Sequence, residues 1–299
     1  MSSAVIKVGF CVAYDWELLK SSVPRLYDFA DSICFSLDMN RRSWSGKKFD
    51  FNYQAFRKWL EELDVEKKIK IYEDDFSLDH LSPIENDNRQ RTLMAKKMGE
   101  GGWHVQVDAD EYFFDFAEFK KYLLKIYPNP SGNEKPINIA CNWVSLIKKT
   151  TSGYLYINNN PNQYEAMAFA TNRPEYLHAR RNSHFDHLSP FFVLHDTWAR
   201  GEQELLQKIN SWGHDKDFIS KESYFNLWKA LDEFNYKYIF NFHPLKGETW
   251  QQLGYVPEHS IDKVIDWLKE NNKLKIDAAY LIKRNNRFYQ KIKQFLGNL

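Results

Sequence analysis

The chain predicts an α/β fold: a mixed, mainly parallel sheet flanked by helices and followed by a C-terminal helical tail. Three observations predict it. Short apolar runs alternate with amphipathic helical stretches through the N-terminal third. Three of those runs end on acidic residues, and the last stretch of the chain sets apolar residues at helical spacing among lysines and arginines.

The first strand is Val5 to Ala13, a near-continuous apolar run of the kind buried on both faces. Trp16 to Phe29 suits a helix, with Leu18, Leu19, Val23 and Leu26 apolar and Pro24 placed to bend or restart it. Ser32 to Leu37 is the second strand and ends at Asp38; a polar loop with Arg41, Arg42 and Gly46 leads to an amphipathic helix, Tyr53 to Leu63. Lys68 to Tyr72 is the third strand, running out in Glu73-Asp74-Asp75. A helix from Asn86 to Met98 stops at Gly99, Gly101 and Gly102. In the fourth strand, Trp103, Val105 and Val107 alternate with polar positions until Asp108-Ala109-Asp110-Glu111. This βαβαβαβ order demands right-handed crossovers and a mainly parallel sheet.

Residues 1–125 form one half on this reading. The turn-rich stretch Pro128 to Pro136 separates it from a second half, 126–245, with shorter strands at Ile137 to Ile147, Gly153 to Ile157, Glu165 to Ala170 and Phe191 to Leu194. Residues 246–299 form a helical extension.

Ligands of open α/β sheets collect at the C-terminal ends of parallel strands, where Asp108, Asp110 and Glu111 stand. Hard cations such as Mg²⁺ and Mn²⁺ want oxygen ligands, and two aspartates one residue apart can face one metal where a strand has ended. The competing reading is an acidic cap for a helix beginning near Phe116. A second acidic pair, Asp215 and Asp217, follows Trp212-Gly213-His214 with no strand before it and reads as a solvated loop.

The order of these parts over about residues 5 to 115 resembles the nucleotide-sugar glycosyltransferases of the GT-A fold, close to the family 2-like bacterial enzymes. The matching features are the polar turn Ala13-Tyr14-Asp15, the strand-ending Asp38, the acids Asp74 and Asp75, the helix carrying Arg89 and Arg91, and the D-x-D-E-Y run from Asp108 to Tyr112. In place of the family's aspartate-rich turn after the second strand stands Asp38-Met39-Asn40-Arg41-Arg42-Ser43. The resemblance implies transfer of a sugar from a nucleoside diphosphate sugar, a UDP-sugar first among them, to a glycan or lipid-linked acceptor in surface polysaccharide synthesis. It implies that Tyr14, Asp15, Asp38, Asp74, Arg89, Asp108 and Glu111 hold the donor. Mn²⁺ or Mg²⁺ would sit on Asp110, Asp108 and a late histidine, for which His195 at the end of Phe191-Phe192-Val193-Leu194 is the match. Such an ion stabilises the departing diphosphate as a Lewis acid.

A transfer with inversion also needs a carboxylate to take the acceptor's proton, and Asp196, Glu165 and Asp186 are the candidates. Arg200 and His214 are candidates to touch the diphosphate, with a core or surface role as the competing reading for each. Glu204 and Lys208 form an i,i+4 pair that stabilises a helix. His178, His184, His187 and His195 crowd one region, but no H-x-x-x-H or C-x-x-C pair among them supports a closed zinc site.

With 43% hydrophobic residues in 299 the chain can build a substantial core, and its formal net charge of +1 gives no reason to expect a nucleic-acid partner. No leader or membrane-spanning stretch is evident, and Cys11, Cys34 and Cys141 fall in strands as buried thiols, so a cytoplasmic location is expected. From Lys273 to Lys293 seven basic residues stand against Asp277, with Ile276, Tyr280, Phe288, Ile292 and Phe295 as an apolar stripe. Such a tail is suited to rest on the inner face of an anionic membrane, or equally to pack on the protein. A metal-dependent hydrolase using the Asp/His cluster and a non-catalytic glycan-binding protein are the alternative functions.

Overall fold

The computed structural model describes residues 5–211, 218, 220–245, 249–271 and 273–288. The N-terminal part runs β1 (Ile6–Val12), α1 (Leu19–Ser22), α2 (Pro24–Tyr27), β2 (Ser32–Asp38), α3 (Tyr53–Leu63), β3 (Ile69–Asp74), α4 (Pro83–Met98) and β4 (Trp103–Asp108). It continues with β5 (Glu111–Phe113), α5 (Phe116–Ile126), β6 (Ile137–Lys149), β7 (Tyr154–Ile157), β8 (Ala166–Thr171) and β9 (Phe185–His195). The last part holds α6 (Glu202–Ser211), α7 (Lys221–Ala230), β10 (Leu253–Val256), α8 (Ile261–Glu270) and α9 (Ala278–Asn285).

Among the described residues the strands form a ten-stranded mixed sheet in the order β10-β7-β6-β8-β4-β1-β2-β3, with β9 joined to both β6 and β5. Its core is parallel: β1 lies between β2 and β4, and β3 flanks β2. The antiparallel β8 closes on β4. β1 is inaccessible at Ile6, Val8 and Phe10 because helices cover both faces. On one side Trp16, Phe35 and Phe56 interlock, with Trp16 and Phe56 centroids 5.4 Å apart and Phe35 and Phe56 5.9 Å apart. Each such buried ring contributes about 1.5–3 kcal/mol through lost apolar surface.

Helix ends follow local chemistry. Asn52 caps α3 by accepting from the Ala55 N–H at 3.0 Å. Pro24 opens α2 as its first residue, so the stretch from Trp16 is a 3-10 turn followed by two short helices. Gly99, at φ +81°, ends α4 in a conformation that costs a side chain dearly. Asp115, not Asp108 to Glu111, caps α5, accepting from the Glu118 N–H at 2.9 Å.

The acids after β4 instead turn into β5, a strand too short to show a period in the sequence. Its partner β9 is longer than the apolar run Phe191 to Leu194 suggests. Pro190, just before that run, interrupts the strand, and the β6–β9 register shifts there. Asn142 repairs the break, donating from Nδ2 to the carbonyls of Ser189 and Phe191, each at 3.0 Å.

The C-terminal extension is not wholly helical. β10 adds an antiparallel strand to β7, and α8 buries Val264, Ile265 and Leu268. The described part of the tail is docked. Asn285 accepts from the Leu188 N–H and donates to its carbonyl, both at 2.8 Å, and the Arg287 guanidinium lies 4.5 Å from the Phe185 ring centre. Ile282 and Phe288 remain exposed; Ile292, Phe295, Lys291 and Lys293 lie outside the described residues. Among the described residues no helix is long and apolar enough to cross a membrane. The three cysteines are free, with Cys34 and Cys141 buried and Cys11 half-buried.

Gly254 pairs with Tyr156, whose ring folds over it: a Cβ added there would stand 2.3 Å from Tyr156 Cε1. Gly254→Ala is expected to lose about 1–3 kcal/mol of stability in urea unfolding through overpacking. An unchanged midpoint would mean that Tyr156 moves aside without cost.

Candidate active site

The C-terminal ends of β1, β2, β3 and β4 share one edge of the sheet, and their charged side chains fall into three groups. The deepest is a buried ion network. Arg91 on α4 is 2% exposed; its Nε donates to Asp87 Oδ1 at 2.6 Å, Nη1 to Gln106 Oε1 at 3.2 Å and Nη2 to Asp108 Oδ1 at 2.9 Å. Spacing of i,i+4 on α4 aligns Asp87 and Arg91, so the helix presents the guanidinium already oriented. The Asp108 N–H donates to Glu111 Oε2 at 2.8 Å. Glu111, with no exposed surface, takes a two-pronged ion pair from Arg180 at 2.7 and 2.6 Å and the Trp143 indole N–H at 2.9 Å. Burial works against the charge of Arg91 and Arg180, but the neighbouring carboxylates outweigh it and keep both protonated.

The second group surrounds Asp110. Its Oδ2 accepts from Arg200 Nη2 at 2.6 Å and from Lys208 Nζ at 3.0 Å, while Arg200 Nη1 bonds Asp15 Oδ2 at 3.0 Å. Burial raises the Asp110 carboxyl, yet Lys208, His195 and Arg200 together hold it well below the usual carboxylate range.

Pairing of β5 with β9 places His195 opposite Glu111 and brings the Asp196 N–H to the Asp110 carbonyl at 2.8 Å. His195 stacks on Trp143 with centroids 4.4 Å apart, its Nε2 3.8 Å from Asp110 Oδ1, and burial pushes its pKa down to about 4, so the ring is neutral. Asp196 is buried, its Oδ1 has no hydrogen-bond partner among the described residues, and burial pushes its carboxyl up to about 7.

The third group lies at the ends of β2 and β3. Asp38 is spent on structure: Oδ1 accepts from the N–H groups of Asn40 and Arg42, and Oδ2 from those of Phe76 and Ser77, at 2.9–3.1 Å. It ties the two strand ends together and has little capacity left for a base. Asp74 accepts from the Tyr72 hydroxyl and the Asp75 N–H, and the Tyr72 bond lowers its pKa. Arg89 turns toward this end, with Nη2 3.4 Å from the Asp75 carbonyl and a buried, unpartnered Nε. Tyr14 packs edge-on against Phe49 at 6.3 Å.

Of the residues singled out in the sequence, Asp15, Asp108, Asp110, Glu111, His195 and Asp196 are thus brought together. Asp186 is not: it starts β9, accepts from Asn138 Nδ2 at 2.8 Å, and stands about 30 Å along the strand from His195 at roughly 3.3 Å per residue. Glu165 engages the Trp250 indole N–H at 2.8 Å, and its own carbonyl accepts from the Trp143 N–H at 2.7 Å. His187 bonds the Tyr122 hydroxyl and His184 faces Glu175, so the histidines scatter.

The expected metal ligands do not fit a resident Mn²⁺ or Mg²⁺. Asp108 is committed to Arg91, Asp110 already holds two cations, and among the described residues no three His, Cys, Asp or Glu side chains form a group able to hold a metal. His214, Asp215 and Asp217 lie outside the described residues.

Four residues carry more than their sequence context indicated. Arg91, rather than Arg89, reaches the D-x-D acids. Arg180 and Trp143 come from distant segments with no local signal. Lys208 does not serve as a helix partner of Glu204, which instead accepts from the Gly201 N–H at 3.1 Å. Arg200 precedes α6 and stands outside its helical period, so no spacing in the sequence ties it to Lys208.

A scan of protein-family models finds no match, and a search of curated proteins finds none.

Arg180→Met strands the Glu111 carboxylate in the interior. It is expected to cost about 3–5 kcal/mol in chemical denaturation, with part of the loss recovered when Glu111→Gln is added. A single variant as stable as the parent would show that Arg180 does not compensate Glu111.

Proposed function

We propose that the chain is a GT-A-fold glycosyltransferase that moves a sugar from a nucleoside diphosphate sugar, with UDP-sugars the first donor class to test, to a hydroxyl of a glycan or lipid-linked acceptor. What carries the reading is the meeting of two strand ends. β4 delivers Asp108-Ala109-Asp110-Glu111 to the ligand-binding edge of a parallel sheet, and β9 delivers Asp196 beside Asp110.

The chemistry divides between them. The acceptor hydroxyl attacks the anomeric carbon, the bond from that carbon to the diphosphate oxygen breaks, and Asp196 takes the hydroxyl proton. A buried carboxyl raised to about 7, with an oxygen unpartnered among the described residues, suits that task, because it is basic enough to accept a proton and about half ionised at neutral pH. The arginine network ties the D-x-D loop to α4 and to the segment before β9, and on this reading Asp15, Asp74 and Arg89 are the residues that meet the nucleoside and its phosphates.

The hydrolase alternative is less well supported. It needs several carboxylates open to metal at one edge, whereas Asp108, Asp110 and Glu111 each already hold a basic partner.

Asp196→Asn keeps size and hydrogen bonding but cannot accept a proton. Turnover of a nucleotide sugar should fall about a hundredfold or more with donor binding retained. In the parent enzyme only the ionised carboxylate works, so the rate should rise with pH to a plateau above about 7. That rising limb should vanish in Asp196→Asn. A variant that keeps both rate and limb would remove Asp196 from the mechanism; a chain that turns over no nucleotide sugar would remove the transferase reading.

A further inference from the structure

We infer that Arg200 and Lys208 take the place of a divalent ion in this site and neutralise the diphosphate of the donor, an inference that rests on the transferase reading above. Arg200 lies just ahead of α6 and Lys208 stands on that helix, and the side chains of both reach one point. There they share a single carboxylate oxygen, Asp110 Oδ2, at 2.6 and 3.0 Å. Two unit charges at that distance equal the charge of one Mg²⁺ or Mn²⁺, and they stand at the residue the D-x-D pattern offers to metal.

Both cations are withdrawn from water, with side-chain exposures of 6% for Arg200 and 16% for Lys208. Burying an ammonium is costly, and a stable core would be built more readily from apolar groups. Arg200 also keeps a buried Nε–H with no partner among the described residues, a donor left over after Asp15 and Asp110 are satisfied. Guanidinium groups grip phosphate in forked fashion and lysine adds a point charge, so the pair is chemically matched to a diphosphate. Asp110 and Asp15 hold the two cations in place in the free protein, and Asp110 yields part of its hold as phosphate oxygens arrive. Meanwhile the other expected metal ligand, Asp108, is neutralised by Arg91.

Inorganic pyrophosphate is the probe, titrated calorimetrically into the full chain in EDTA and again with excess Mn²⁺. Binding should occur in EDTA, weaken as salt is raised, and change little with Mn²⁺. Lys208→Met should weaken it about tenfold or more, Lys208→Arg should restore most of it, and Asp110→Asn, which frees both cations, should retain or tighten it. Thermal midpoints of the three variants identify any that fail to fold, and the Lys208→Arg comparison stands if Lys208→Met does. Pyrophosphate binding that needs Mn²⁺, or that is the same in Lys208→Met, overturns the inference. Turnover of nucleotide sugars is scored separately. A chain that binds pyrophosphate through Lys208 but transfers no sugar keeps the cation pair and loses the transferase, whereas sugar transfer that requires Mn²⁺ does the reverse.

Discussion

Arg91 and Arg180 hold the site in its shape, and the constraint they answer is the burial of carboxylates. Asp87, Asp108 and Glu111 come from one helix and the two strands flanking a tight turn; Asp87 and Glu111 are buried and Asp108 is only partly exposed. Two arginines compensate them from opposite sides, one from α4 and one from the segment between β8 and β9. Removing either would leave a charge in the interior, so the loop between β4 and β5 has a single conformation open to it. Trp143 on β6 is fastened to the same Glu111, which extends the constraint across the sheet to His195 stacked on that ring.

That rigidity gives the second layer its meaning. Asp110 follows directly from the clamped turn and faces away from the arginine network toward α6, where Arg200 and Lys208 meet it. The two layers differ in kind. In the lower one every carboxylate is matched by guanidinium donors of fixed geometry; in the upper one a lysine on a flexible stem, an unpartnered Arg200 Nε and an unpartnered Asp196 oxygen leave hydrogen-bonding capacity unused. Unused capacity in a buried place is costly for stability and useful for chemistry, because a ligand can complete it.

The sheet explains why residues so distant meet. β9 runs beside both β6 and β5, and the bulge near Pro190 is bridged by Asn142 so that the strand continues past the break. Only by continuing does it carry His195 and Asp196 to the level of Glu111. Asp186 begins the same strand and is left at its other end, since a strand separates its termini by its own length.

The sequence by itself determined the parallel frame and the edge at which chemistry collects. Strands such as Val5 to Ala13 and Trp103 to Val107 declare themselves by apolar pattern, α3 by its amphipathic period, and Asp108, Asp110, His195 and Asp196 by ending such strands, because these signals are local and repeat within a few residues. Tertiary structure alone decided who partners whom. Asp38 was expected among the residues that hold the donor and is a knot of four backbone bonds; Arg91 and Arg89 exchanged importance because two residues on a helix point about 200° apart. Lys208 matched Glu204 by spacing but went to Asp110, a buried acid that outcompetes an exposed one because the interior screens charge less than water does. Arg180 and Trp143 had no local signature at all: their roles arise from chain segments that meet only when the sheet is assembled.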